Sequence, residues 1–367
     1  MEIYIDGLFY KGSGIGRYYE SLIKEFANKG IKVHTCIPER LRGDFEKDFS
    51  EIPNIKPTFV GYEKFSMKGF FKQSGILKKL EKEVNLFFYP YINLPHYIPK
   101  NTVVTVHDLI PLTPFWGRSI IKQKIFLFYL QRIVRYSTKI ITVSNYTANE
   151  LKHRFRGLNG KIEVIHNFIN DKFVNSKSPP SPIVNNPYIL FIGNRKKHKN
   201  LETLVKAFAK IKDSIPHHIV IAGTRDKKQE EDEIDSLIKK LNIQNRVVQL
   251  TEPDDQTIIN LYSFADVFVF PSLIEGFGFP PLEAVSLGCP AILSDIPVLR
   301  EIFDDSGLYF NPYSEDDLAN TILKIILDKE LRNNLLKKQK ERIKLFNKDE
   351  IVKQYIQLFE HLSGGDI

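Results

Sequence analysis

The chain has 367 residues, 43% of them hydrophobic and 26% charged, which suits two folded domains with packed cores and argues against a disordered chain. Cys36 and Cys289 are the only cysteines; they lie far apart, fit no metal or redox spacing and so exclude a cysteine-built zinc site. The net charge is +8, but residues 1–177 hold 28 Lys and Arg against 16 Asp and Glu while residues 178–367 hold 24 against 28, so the basic surplus lies wholly in the first half and favours an anionic partner there.

In chain order, Met1 to Gly7 alternates like a first strand and lacks the basic and apolar regions of a signal peptide. The expected location is therefore cytoplasmic. Ile3–Ile5, Val33–Ile37, Leu86–Tyr89, Val103–Val106, Ile140–Val143 and Ile162–Ile165 read as strands, with helical patterns between them. The apolar stretch from Ile125 to Leu130 is flanked by lysine and arginine and is far short of the roughly 20 residues that span a bilayer. Ser176 to Pro182 is a Pro/Ser-rich break that favours an extended linker. Strands resume at Tyr188–Ile192, His218–Ala222, Val247–Leu250, Val267–Phe270 and Ala291–Leu293, and the tail from Glu315 to Leu362 is helix-rich, opening on Ser314-Glu315-Asp316-Asp317. Continuous apolar runs alternating with helices predict buried parallel strands, hence two doubly wound α/β domains with ligands beyond the carboxyl ends of the strands. The expected domains are 1–177 and 178–347, and the expected ligand site is the cleft between them.

Four segments carry candidate chemistry. From Phe270 through Glu275-Gly276-Phe277-Gly278 to Pro280-Pro281-Leu282-Glu283, a strand end leads through a glycine loop into a helix whose first turn tolerates proline. Such a junction gathers free backbone N–H groups around an anion, while the Glu275 and Glu283 carboxylates are good acceptors for sugar or ribose hydroxyls. The bland reading is a tight turn with two solvated glutamates. Gly193-Asn194-Arg195-Lys196-Lys197-His198-Lys199-Asn200 follows another strand; most of its cations suit a solvated loop, but a diphosphate leaving group needs cationic stabilisation, and Arg195 and Lys199 are the candidates. Gly12-Ser13-Gly14-Ile15-Gly16 follows the first strand without matching the dinucleotide fingerprint and is equally a structural turn. His107-Asp108 ends a buried-looking strand, where a ligand-facing polar residue belongs.

Together these segments resemble the retaining GT-B glycosyltransferases of family 4, over nearly the whole chain. The most specific match is Glu275-Gly276-Phe277-Gly278 with Leu282-Glu283-Ala284 and Gly288-Cys289-Pro290; Gly12 to Tyr18, His107-Asp108, Val143-Ser144-Asn145 and Gly193 to Asn200 support it. The resemblance implies an acceptor-binding Rossmann-like domain over 1–177, a nucleotide-sugar-binding one over 178–347, and a final helix within 348–367 packing back on the first. It implies that Glu275 meets the transferred sugar and Glu283 the ribose, that Arg195 and Lys199 hold the diphosphate, that Gly14 and Gly16 bring amides to the phosphate or reacting centre, and that His107 hydrogen-bonds the donor sugar. Asn194, Gly276, Phe277 and Gly278 would line the same donor site, with the base near Leu250 to Asp255. The lysine-rich basic segment leaves Lys197 or Lys199 as the second phosphate ligand.

The family is thought to react on one face of the sugar, the departing phosphate oxygen taking the acceptor's proton, and generally without a metal; no Asp-x-Asp motif occurs here. No cofactor is expected, and the donor is GDP-mannose or a UDP-sugar. The acceptor is a glycan or lipid-linked saccharide of surface polysaccharide. Glu63 to Glu83 mixes Phe65, Phe70 and Phe71 with Lys64, Lys68, Lys72, Lys78 and Lys79, which suits an anionic membrane surface or a partly buried helix with a solvated face, whereas no motif supports nucleic-acid binding. A nucleotide-sugar epimerase of the same fold and a non-catalytic nucleotide-sugar-binding module are the alternatives.

Overall fold

The computed structural model describes residues 1–116, 119–174, 180–225 and 231–364. It divides into two compact units, one formed by Met1–Leu112, Arg118–Asn167 and Lys348–Ile367, the other by Thr113–Gly117 and Phe168–Asn347. The chain thus passes to the second unit at Phe168, while residues 175–179, which hold most of the Pro/Ser-rich break and the expected boundary, lie outside the described residues.

The first unit is built on β1 (Glu2–Asp6), β2 (Lys32–Pro38), β3 (Ile55–Val60), β4 (Leu86–Tyr89), β5 (Thr102–Val106), β6 (Lys139–Thr142) and β7 (Ile162–Val164), in the spatial order β3-β2-β1-β4-β5-β6-β7. All neighbouring pairs are parallel. Its α-helices are α1 (Ser13–Asn28), α2 (Arg42–Phe49), α3 (Met67–Leu80), α4 (Ile120–Tyr136) and α5 (Asn145–Arg154), joined by the last helix of the chain, Lys348–Ser363. β1, β4, β5 and β6 are buried along almost their whole length, as parallel strands covered on both faces must be. The last helix lays Tyr355 and Phe359 onto this unit: their rings stand 6.0 and 5.6 Å from Phe26, and the Tyr355 hydroxyl lies 2.6 Å from that of Tyr18.

The second unit repeats the scheme with β8 (Tyr188–Ile192), β9 (His218–Gly223), β10 (Val247–Thr251), β11 (Val267–Phe270), β12 (Ala291–Ser294) and β13 (Leu308–Phe310), again all parallel, in the order β10-β9-β8-β11-β12-β13. Its α-helices are α6 (Asp171–Val174), α7 (Leu201–Ile211), α8 (Glu233–Lys240), α9 (Asp255–Phe264), α10 (Phe279–Ser286), α11 (Pro297–Phe303), α12 (Glu315–Leu327) and α13 (Lys329–Ile343), which makes the last helix α14. Leu204, Val205 and Phe208 of α7 pack with Leu318, Ile322 and Ile325 of α12 over Ile189 and Ile219 of the sheet. Ser314 opens α12 as the sequence suggests, its hydroxyl accepting from the Asp317 amide at 3.1 Å.

The strand orders locate the sites. In each unit the chain runs outward from the first strand and then returns to its other side, so the order reverses between β1 and β4 and between β8 and β11. Ligands of doubly wound sheets bind beyond the strand ends at such reversals.

Candidate functional site

In the second unit, β8 and β11 are adjacent and parallel, so the loops leaving them emerge side by side. The first carries Gly193 to Asn200, the second Pro271 to Gly278. They are tied by the Leu273 amide, which donates to the His198 carbonyl at 2.8 Å. Beside that bond the Lys199 ammonium donates to the Glu275 carboxylate, Nζ to Oε1 2.6 Å, with side chains only 15% and 11% exposed. The sequence places these residues 76 apart; the reversal of strand order makes them partners. The pair offers a charge-neutralising cation and a hydroxyl-accepting carboxylate at one point, which suits a ligand bearing both phosphate and sugar.

The surrounding backbone is shaped for close approach. Gly223, at the end of β9, has φ +142°, and a Cβ there would stand 2.0 Å from the Gly193 carbonyl oxygen. Gly278 opens α10 with φ +109°, conformations that favour glycine. Gly276 is buried and the Phe277 ring packs 5.6 Å from Phe346 and 5.5 Å from Phe279. Phe277 thus anchors the loop in the core. Glu283, about one turn into α10, is 8% exposed and accepts from the Tyr262 hydroxyl at 3.4 Å.

Arg195, expected to hold a diphosphate, is engaged by carboxylates in the structure. Its guanidinium donates to both Asp232 oxygens at 3.0 and 2.8 Å, to Asp235 at 3.1 Å and to Gln249. Two carboxylates at the start of α8 already neutralise its charge, and its side chain is 8% exposed, so it braces β8 against α8 and β10. Asn194 forms a local turn, its side-chain oxygen accepting from the Lys196 amide at 3.2 Å. Lys196 lies 4.3 Å from the Trp116 ring, and Lys197 is exposed; of the two alternatives for the second phosphate ligand, Lys199 is the one beside Glu275. Leu250 is half-buried on β10, the sheet edge, with β9 between it and β8.

The structure adds two residues the sequence pattern did not single out. His198 is buried, its Nδ1 has no hydrogen-bond partner among the described residues, and burial followed by the Lys199 charge pushes its pKa down to about 4. The Ser272 hydroxyl, at the start of the Glu275 loop, is likewise buried and unpartnered. A histidine between lysines reads as a solvated loop residue, so no signal in the sequence marked it.

In the first unit, His107 follows β5, next to β4. Its Nε2 stands 2.8 Å from the Pro90 carbonyl, and its ring meets Tyr18 edge-on at 4.7 Å. Since a carbonyl only accepts, Nε2 carries the proton. Burial pushes the pKa to about 4, so the neutral ring keeps Nδ1 as an acceptor for a hydroxyl. Gly14 lies in the first turn of α1, where a Cβ would meet nothing within 4 Å, whereas one at Gly16 would stand 2.7 Å from the Phe9 carbonyl. The Gly16 amide donates to the Gly12 carbonyl at 2.6 Å. Gly16 therefore serves the packing of the helix start, and the amides ahead of it, Gly14's included, precede the helical ladder.

Family models match both units: the glycosyl transferases group 1 model over residues 175–342 and the glycosyltransferase family 4 model over residues 12–173. The chain belongs to the group 1 glycosyltransferases. Among solved structures, this glycosyltransferase is similar to sucrose-phosphate synthase from Thermosynechococcus elongatus, with TM-score 0.79 and 20% identity over 100% of both chains. It is also similar to HepE of Anabaena, solved with UDP-glucose, with TM-score 0.76 and 18% identity over 98% of this chain and 99% of that one. At such identities the likeness fixes the fold, which is GT-B. A curated relative is the O-antigen chain mannosyltransferase RfbU of Salmonella typhimurium, 31% identical over 63% of this chain and 63% of its own length.

Proposed function

We propose that this glycosyltransferase moves a hexose, with mannose the preferred sugar, from a nucleoside diphosphate sugar to a glycan or lipid-linked saccharide in surface-polysaccharide biosynthesis, at the cytoplasmic side of the membrane. The observation that carries the donor half is the Lys199–Glu275 contact of 2.6 Å at the β8/β11 reversal. Lys199 would neutralise charge developing on the departing diphosphate and Glu275 would accept from sugar hydroxyls. Glu283 would take the ribose, and Nδ1 of His107 would accept from the donor sugar. The configuration would be retained, the leaving phosphate oxygen taking the acceptor's proton, with no metal required; an unchanged rate in chelator would support that part. Mannose and the polysaccharide setting rest on the similarity to RfbU. A UDP-hexose donor is the second reading, favoured by HepE having been solved with UDP-glucose.

Thermal unfolding with GDP-mannose, UDP-glucose and other nucleotide sugars tests the choice, since a ligand at about 100 times its Kd stabilises by about 2.7 kcal/mol. The expected result is a rise in Tm with GDP-mannose and little with UDP-glucose. The opposite order would move the reading to UDP-hexose, and no rise with any would remove it. With whichever donor binds, Glu283→Ala is expected to weaken Kd about ten-fold through one lost charge-assisted hydrogen bond; an unchanged Kd in calorimetry would sink the ribose assignment.

A further inference from the structure

We propose that α3 and the first three turns of α4 form one docking face that seats the protein on an anionic lipid bilayer, with Met67, Phe71, Ile121, Ile125 and Phe128 entering the interface and lysines rimming it. The helix that decides this is α4, which lies outside the Phe/Lys segment noted in the sequence. Its core side is Phe126, Tyr129, Leu130 and Ile133, all buried. At about 100° per residue, Ile121, Ile125 and Phe128 cluster in an arc of roughly 60°, well round the helix from that core side. They are 72%, 47% and 45% exposed. A surface helix ordinarily turns polar residues to water; α4 has a second apolar stripe where those residues belong.

The stripe is continuous with α3. The Phe128 ring lies 6.2 Å from Phe70, which lies 5.1 Å from Phe71. Met67 and Phe71, on the outward side of α3, are 72% and 52% exposed, while Gln73 and Leu77 face inward. Arg132 closes the junction, its guanidinium 5.1 Å from Phe70 and 5.5 Å from Phe128. One apolar ledge therefore runs across two helices, of the kind that marks an interaction site.

Charge selects the occupant. α3 contains Lys68, Lys72, Lys78 and Lys79, α4 contains Lys122, Lys124, Arg132 and Arg135, and neither contains an acidic residue. A second copy of this chain docking through the same face would set these cations against one another. A polyanion such as nucleic acid would answer the cations and leave the isoleucines in water. An anionic bilayer answers both, taking the apolar side chains below its headgroups while lysine stems reach up to the phosphates. The face gives the lipid-linked acceptor of the proposed function a surface to be met on, and it rests on that reading only for its purpose.

Flotation of the full chain with phosphatidylcholine vesicles, with and without phosphatidylglycerol, tests the face in the absence of donor and acceptor, so that docking and transfer can each fail alone. The wild type is expected to float with the anionic vesicles. Ile121→Gln combined with Phe71→Gln, which keeps every charge and alters only well-exposed positions, is expected to weaken partition about ten-fold or more. Ile121→Phe, which keeps the face apolar, is expected to float as wild type does. Lys68→Gln with Lys122→Gln is expected to weaken flotation at low salt, with the difference fading as salt screens the headgroups. No flotation of the wild type at low salt would overturn the proposal, as would flotation untouched by the double glutamine variant. So would a wild-type dimer that this variant dissociates in light scattering without vesicle binding, which would give the face to a second copy.

Discussion

Lys199→Ala is expected to lower turnover about 10²- to 10³-fold, the usual loss when a charge-stabilising group is removed from a group-transfer site. The expectation follows from the placement of one cation at the β8/β11 reversal, while Arg195 is committed to Asp232 and Asp235. Release of nucleoside diphosphate from the donor that binds provides the readout. If Lys199 stabilises charge that develops on the leaving group, kcat falls further than KM rises, and Lys199→Arg, which keeps the charge, recovers part of it. Removing the lysine also strands Glu275, only 11% exposed, as a nearly buried unpaired carboxylate, which destabilises the fold. Lys199→Ala with Glu275→Gln relieves that cost, so the double variant should melt above Lys199→Ala while remaining as inactive. A Lys199→Ala enzyme with wild-type kcat would remove the lysine from the chemistry, and Arg195→Ala would then become the informative variant.

The sequence made much of this frame legible because parallel strands buried on both faces announce themselves as apolar runs. Leu86–Tyr89 and Val267–Phe270 were readable to the residue. The two strands that escaped notice are both sheet edges. β3, Ile55–Val60, contains Pro57 and leaves Lys56, Pro57 and Thr58 exposed, and β13 has three residues of which two are half-buried; an edge strand has one pairing neighbour and needs no continuous apolar run. Family resemblance implied separate roles for Lys199 and Glu275 at the donor, but not their pairing, which depends on strand order that periodicity does not report. Arg195 shows the opposite limit. An arginine in a basic loop looks available for phosphate, and the carboxylates that occupy it come from α8, about 40 residues on. The exposed stripe of α4 was hidden for a related reason, since Ile121, Ile125 and Phe128 have the same helical spacing as core residues.

Unfolding free energy is expected to fall as pH rises from about 4 to about 7, through Asp6, and Asp6→Asn is expected to abolish that part of the dependence. Asp6 ends β1 among buried groups: its carboxylate accepts from the Tyr4 hydroxyl at 3.1 Å and from Gln73 at 2.5 Å. The buried Cys36, Tyr62 and Tyr89 lie close enough to feel its charge, and no cation is among the groups that set its pKa. Burial outweighs the hydrogen bonds and raises that pKa from 3.8 to about 7. The folded state therefore holds a proton that the unfolded chain has released anywhere between those values, so stability is greatest below the unfolded pKa and is lost as pH rises through the folded one. Over the whole window the loss is about 4 kcal/mol, from about 1.4 kcal/mol for each pH unit between the two pKa values. His107 and His198 act in the other direction, since folding lowers both from 6.5 to about 4 and their contribution is lost as pH falls through the same range. The difference between wild type and Asp6→Asn isolates the aspartate. Urea unfolding of both proteins from pH 4.5 to 8 should find them close in stability at the acid end and the asparagine variant more stable at pH 8, where the wild type must bury a carboxylate. Parallel curves would mean that Asp6 keeps an ordinary carboxylate pKa.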